Sequence, residues 1–247
     1  AIPYETDFTL IGTTDQDHGA PDHKPVCTPA EQQYLLDFAN GYFKQDITAD
    51  DIVWTYSGVR PLYDDGASSA TEATRDYVLK LRAEGGAPLL NIFGGKITTY
   101  RGLAEDALEA LARFFPQARG EWTAVVALPG GDFPVDGVND LIADLRQRHD
   151  FLTETWARRL VRAYGTQARL MLEGVTGPAG LGQDFGATLH EVEVRWLMAR
   201  EFAQRAEDVV WRRTKLGLRL SADQIARLDR WMLDAAQAGL TVDDARS

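Results

Sequence analysis

The stretch Pro88-Leu-Leu-Asn-Ile-Phe-Gly-Gly-Lys-Ile-Thr-Thr-Tyr-Arg101 changes its period in the middle. Leu89 to Phe93 is a short apolar run bounded by Pro88 and Gly94, which reads as a buried strand. Beyond Lys96, the residues Tyr100, Leu103, Ala104, Ala107, Leu108 and Leu111 recur at helical spacing. Gly94-Gly95-Lys96 therefore lies where a strand hands over to a helix N-terminus. Paired glycines let a backbone approach a ligand with no β-carbon in the way. A helix N-terminus offers unpaired N–H groups and the positive end of a dipole. Lys96 adds a full charge, and Thr98 and Thr99 add hydroxyls. The combination suits a phosphate or pyrophosphate. It is equally compatible with a plain strand-turn-helix connection in which the glycines serve only sterics.

Working back from that stretch, Glu84-Gly-Gly86 reads as a hairpin turn and Thr74 to Leu81 as the strand before it. Asp64 to Glu72 reads as a mobile loop. Ile52-Val-Trp-Thr-Tyr-Ser-Gly-Val-Arg60-Pro61 reads as a further strand, its Arg60 held extended by the following proline. A strand-end arginine can fork onto a phosphate or carboxylate. The residues alone favour a surface ion pair with one of the many acids. Thr28-Pro29-Ala30-Glu31 starts a helix, with Thr28 and Glu31 as its capping box, that ends near Gly41 to Lys44. Phe8 to Asp15 reads as a strand ending in a turn. Asp15, Asp17, His18, Asp22 and His23 are metal-ligand types, but no regular spacing brings them together, and a solvated loop without metal is the expectation.

The pattern becomes helical after Phe115-Pro116. Trp122 to Leu128 reads as a short extended piece. Helical faces follow at Val138 to Leu145, Trp156 to Tyr164, Leu189 to Ala199 and Ile225 to Ala235, the last capped by Ser221 and Gln224. Gly177 to Gly186 has no strand before it and lacks dinucleotide-fingerprint spacing, so it reads as a connection between helices. Arg205 and Trp211-Arg-Arg-Thr-Lys215 are the most basic stretch, with ion pairs to acids such as Glu207 and Asp208 expected. The fold class is α+β. Residues 1–120 supply a partial antiparallel or mixed sheet and the strand-turn-helix, and residues 121–247 an all-helical domain.

The 247 residues carry 37 acidic and 26 basic side chains, a net charge of −11, which argues against nucleic acid as a partner. No apolar run approaches the ~20 residues of a membrane-spanning helix. A single cysteine, Cys27, excludes an internal disulfide and fits a reducing compartment. No secretory leader is recognised at Ala1-Ile-Pro-Tyr, and the abrupt opening reads as a piece of something longer.

Ile11-Gly-Thr-Thr-Asp15, Trp54 to Pro61, Thr74-Arg-Asp-Tyr77, Phe93 to Arg101 and Trp211 to Lys215, in that order, resemble FAD-dependent glycerol-3-phosphate dehydrogenase. The resemblance covers nearly the whole chain and implies the C-terminal half of such an enzyme. The Gly-rich FAD-binding unit, the family's proposed active-site histidine and an arginine-tyrosine pair would lie upstream. It implies FAD as cofactor and sn-glycerol 3-phosphate as substrate, oxidised to dihydroxyacetone phosphate. Electrons would pass to quinone from an enzyme held peripherally at the cytoplasmic face of the inner membrane. An oxidase relative would use oxygen instead. By the same resemblance Arg60 binds the substrate phosphate, Arg75 is a second cation at the pocket, and Lys96 steadies the developing alkoxide. Gly94, Gly95, Lys96, Thr98 and Thr99 contact FAD, and Thr13 or Thr14 lines the substrate pocket. This stretch alone is expected to turn over nothing, because most of the cofactor cradle is absent. A homodimer through an exposed sheet edge is a further expectation. The rival reading is a non-catalytic acidic binding module, which has no reason to bring Arg60, Arg75 and Lys96 together.

Overall fold

The computed structural model describes residues 1–16, 18–19, 22–63 and 74–239. The expected loop from Asp64 to Glu72 lies outside them, as does Asp17. The chain divides into two units, Ala1–Val125 and Val126–Ser247.

The first unit opens with a hairpin, β1 (Ile2–Tyr4) against β2 (Phe8–Leu10), paired Ile2 to Leu10. The expected strand from Phe8 to Asp15 is thus only three residues long, because β1 offers a ladder no longer than that. Helix α1 (Pro29–Asn40) follows. Its capping box forms as the sequence requires: the Thr28 hydroxyl accepts from the Glu31 amide, and the Glu31 carboxylate accepts from the Thr28 amide at 2.9 Å. Residues 52–61, read as a strand, have extended character without a ladder partner among the described residues. Trp54 and Tyr56 stack on one side at 5.1 Å, as alternation demands. Alternation alone makes no strand; a neighbouring backbone must supply the hydrogen bonds.

Strands β3 (Tyr77–Arg82) and β4 (Leu89–Gly94) form the expected antiparallel hairpin, in register from Tyr77–Gly94 to Arg82–Leu89. Gly85 sits in its turn at φ +76°, a conformation that favours glycine. The reading of β4 as buried is corrected. Leu89 is 58% exposed and Ile92, on the opposite face, 50%, because the sheet has two strands and neither of its faces is fully covered among the described residues. Helix α2 (Tyr100–Leu111) then runs as its spacing predicts. Trp122 to Leu128, read as extended, holds a 3-10 turn at Thr123–Val125 instead. The turn is tied to α2, for Glu105 accepts from the Thr123 hydroxyl at 2.5 Å and pairs with Arg101 at 2.8 Å.

The second unit contains α3 (Val138–Arg148), α4 (Glu154–Tyr164), α5 (Gln167–Met171), α6 (Glu191–Arg200) and α7 (Ala222–Gln237). Ser221 caps α7 with Gln224 in reciprocal bonds, as read from the sequence. The unit is not purely helical. A short hairpin, β5 (Asp184–Gly186) with β6 (Leu189–His190), occupies part of the connection between α5 and α6. Asp208–Arg213 winds as a π-helix, and there Arg212 pairs with Asp208 at 2.9 Å and Glu207 at 3.1 Å, the acids expected.

Burial separates the two units sharply. The packed core runs from Leu141 to Met232 and includes Phe185, Leu189, Val194, Leu197 and Leu228, all fully buried. In the first unit, Leu36 and Ala39 are the buried apolar residues among those described. Burying an apolar side chain contributes about 1.5–3 kcal/mol, so two such residues cannot offset the ordering entropy of a hundred-residue segment. In hydrogen exchange on this chain alone, the amides of α3, α4, α6 and α7 are expected to be protected by global stability. Those of the first unit should exchange orders of magnitude faster. Equal protection in both units would contradict this account.

Candidate active site

Gly94 is the meeting point of three segments. Its φ is +68°, and a β-carbon there would lie 3.2 Å from the Asp76 carbonyl, 3.4 Å from the Tyr63 amide and 3.5 Å from the Pro61 carbonyl. A side chain would crowd these backbones, and the positive φ itself favours glycine. Arg60 is one residue before Pro61, Arg75 one before Asp76, and Lys96 two after Gly94. The three cations singled out in the sequence therefore sit on segments that touch at one place.

Gly95, at φ +94°, lies against the Tyr77 ring; a β-carbon would come within 3.2 Å of the tyrosine's own. Tyr77 reaches past it to donate its hydroxyl to Asp106 on α2 at 2.5 Å. That hydrogen bond, followed by partial burial and the carboxylate charge, raises the phenol above its ordinary range. Tyr77 thus ties β3 to α2 and fixes the glycine turn between them. Tyr63 packs beside the same end of the hairpin, its ring 5.6 Å from Phe93 and its oxygen accepting from Lys80 at 2.5 Å. Neither tyrosine was singled out as a site residue, although Tyr77 closes the Thr-Arg-Asp-Tyr stretch. A tyrosine in a β-rich run reads as packing, and its partner Asp106 is 29 residues away.

The passage from strand to helix is less direct than expected. A 3-10 turn, Ile97–Thr99, intervenes, and α2 begins at Tyr100. Three β-branched residues in succession disfavour the helical conformation. The Thr99 hydroxyl donates back to the Lys96 carbonyl at 2.9 Å, joined there by the Thr99 amide at 3.0 Å, so no side chain caps α2. Thr98, Thr99, Asp76, Tyr77, Arg101 and Gly102 line an open cleft beside the turn. Lys96 is exposed.

Arg60 is half exposed and donates from Nη1 to Asp15 Oδ2 at 3.0 Å, the ion pair that the residues alone favoured. Arg75 is exposed. Thr14 donates its hydroxyl to Glu31 Oε1 at 2.7 Å, and Thr13 donates to the Thr14 carbonyl at 3.1 Å. Glu31 also accepts from the Thr28 amide and hydroxyl, and these bonds, Thr14's foremost, hold its carboxyl below the usual range. Among the described residues, no group of His, Cys, Asp and Glu has the arrangement of a metal site.

Comparison with known proteins accounts for both units. Residues 122–247 match the family described as the C-terminal domain of alpha-glycerophosphate oxidase, and residues 1–101 match FAD dependent oxidoreductase. The aerobic glycerol-3-phosphate dehydrogenase of Escherichia coli K12 is 44% identical over 242 residues, covering 98% of this chain and 48% of the relative. Glycerol-3-phosphate dehydrogenase of Pseudomonas aeruginosa is 45% identical over 94% of this chain and 45% of its own length. D-erythritol 1-phosphate dehydrogenase of Brucella abortus is 41% identical over 94% and 46%. The chain spans about half the length of the curated relatives it matches. It belongs to the FAD-dependent oxidoreductase family that carries the alpha-glycerophosphate oxidase C-terminal domain.

Proposed function

We propose that this chain forms part of a flavoprotein that oxidises sn-glycerol 3-phosphate to dihydroxyacetone phosphate. The observation that carries the reading is the convergence at Gly94 of the segments bearing Arg60, Arg75 and Lys96. A phosphate monoester brings up to two negative charges, and a forked guanidinium answers them with paired charge-assisted hydrogen bonds. Arg60 would take the phosphate, Arg75 would add a second cation, and Thr13 or Thr14 would line the pocket. The Thr14 proton is already given to Glu31, which leaves its oxygen to accept. Lys96 would hold an ammonium near the substrate's secondary alcohol, steadying negative charge on that oxygen as its carbon is oxidised.

The residues around the turn fit FAD. The side-chain-free backbone of Gly94 and Gly95, the Lys96 ammonium and the Thr98 hydroxyl form a donor set suited to an anionic, pyrophosphate-bearing group, and Thr99, its hydroxyl given to the Lys96 carbonyl, would shape the turn beside it. FAD, when bound, accepts the hydride. The exposed apolar residues of β4, Tyr34 and Phe38 on α1, and Tyr42 just beyond that helix would be covered by the rest of the protein. Residues 1–120 would then close the substrate and flavin sites, and residues 121–247 would form the C-terminal helical domain.

Electrons would pass on to quinone, with peripheral docking at the cytoplasmic face of the inner membrane. No helix among the described residues is long and apolar enough to cross one. A homodimer would use an exposed sheet edge. The Brucella relative's name supports a second reading on the same site, a longer polyol phosphate such as D-erythritol 1-phosphate. Arg60→Ala in the whole FAD-loaded protein is expected to raise KM for glycerol 3-phosphate by about 10- to 100-fold. A KM within twofold of wild type would refute the phosphate role.

A further inference from the structure

Arg60 is joined to a part of the chain far from it in sequence. Its partner Asp15 is 45 residues earlier, at the end of the Ile-Gly-Thr-Thr-Asp stretch. The loop bearing Asp15 is itself held. Thr14 donates to Glu31 at 2.7 Å, and that carboxylate also closes the capping box of α1 through the Thr28 amide and hydroxyl at 2.9 Å and 2.7 Å. A continuous series of bonds therefore runs from the N-terminus of α1 through Glu31, Thr14 and the adjoining Asp15 to the guanidinium of Arg60.

We infer that Asp15 is a positioning residue for substrate binding. It grips one nitrogen of Arg60 and presents the other edge of the guanidinium to the substrate phosphate. The inference rests on the phosphate role proposed for Arg60. Asp15 engages Nη1 alone, and the edge formed by Nε and Nη2 has no partner among the described residues. That edge is the fork that meets two oxygens of a phosphate in parallel hydrogen bonds.

As a source of stability the pair is weak. Both side chains are 51% exposed, and such pairs contribute about 0–1 kcal/mol. Its value is geometric. An arginine on a segment without a ladder partner has many rotamers, and ordering it on binding reduces affinity. A second contact, anchored through Thr14 to a capped helix, restricts those rotamers before the substrate arrives. Asp15 also places a negative charge near the incoming phosphate. Positioning and repulsion make opposite predictions for its removal, so the two can be told apart.

The test is steady-state kinetics with glycerol 3-phosphate and an artificial electron acceptor, in the whole FAD-loaded protein. Asp15→Ala is expected to raise KM about tenfold with kcat within twofold of wild type. Asp15→Asn keeps an acceptor oxygen at the same reach and should restore KM to within about threefold. In Asp15→Ala/Arg60→Ala the KM should be no higher than in Arg60→Ala alone, since Asp15 acts only through that arginine. A general folding defect would lower the apparent kcat through the active fraction and would not produce a raised KM at near-normal kcat. An unchanged or lowered KM in Asp15→Ala, or full additivity with Arg60→Ala, would overturn the inference. If Arg60→Ala is impaired while Asp15→Ala is normal, only the positioning role fails. An Arg60→Ala protein with wild-type KM would overturn the phosphate reading as well.

Discussion

Lys96→Met is expected to lower kcat of the whole FAD-loaded protein by about 100- to 1,000-fold, the usual effect of removing one charge that stabilises a transition state. KM for glycerol 3-phosphate should move less than about threefold. The split follows from where charge appears. The phosphate is charged before, during and after the reaction, so a cation that serves it acts mainly on binding. The alcohol oxygen gains negative character only as it gives up its proton on the way to the ketone, before the hydride carries that charge to the flavin, so a cation that serves it acts on the barrier. The structure suits Lys96 to the second task. Two glycines at positive φ precede it, and its carbonyl is tied down by the Thr99 amide and hydroxyl. The backbone is thus fixed while the side chain is exposed, and no carboxylate pairs with it among the described residues. Lys96→Arg keeps the charge with a bulkier head and should retain part of the rate. A Lys96→Met protein whose kcat stays within threefold of wild type would rule out this role. Together with Arg60→Ala, the pair of variants tests whether phosphate binding and chemistry are divided between the two cations.

What could be read from the sequence was local. Glu84-Gly-Gly86 and the apolar runs beside it specify the β3–β4 hairpin because turn chemistry and alternation act over a few residues. The capping boxes at Thr28 and Ser221 are legible for the same reason, each being closed by the residue three positions on. Contacts decided by distant partners were not legible. The Ile52 to Pro61 run has the composition of a strand, yet pairing depends on whether another backbone lies alongside. The apolar β4 reads as buried, but burial requires a covering layer. At the site, the glycines and the three cations stand out by type. Asp15, Tyr77 and Asp106 do not, since each matters through a contact 29 or 45 residues away. The same limit hid a buried ion pair in the second unit. Glu193 lies on α6, where a glutamate among other charges reads as solvated.

Glu193 is only 2% exposed, and its removal is expected to cost the second unit about 3–5 kcal/mol. Arg159 meets it with both terminal nitrogens at 2.7 Å, and Tyr164 donates its hydroxyl to the same carboxylate at 2.7 Å. Arg159 also holds Thr188 twice, through its hydroxyl at 2.9 Å and its carbonyl at 3.0 Å. Thr188 has φ +68°, unfavourable for a β-branched residue, so the arginine fastens a strained turn of the β5–β6 hairpin. Glu193→Ala leaves a largely buried guanidinium without its counter-charge and a buried phenol without its acceptor. Against a typical domain stability of about 5–15 kcal/mol, that is a large fraction, and it should appear as a lower denaturant midpoint of the helical unit. A loss below about 1 kcal/mol, the worth of a surface pair, would show that the site relaxes and admits water. The phenol supplies a second readout. Burial, then the Glu193 charge, pushes Tyr164 well above its ordinary value of 10.0. The folded state therefore holds this proton more tightly than the unfolded chain does. Its contribution to stability is complete below about pH 10 and is lost as pH rises beyond it. Tyr164→Phe should remove that alkaline loss, and an unchanged high-pH limb in the variant would assign the loss to other groups.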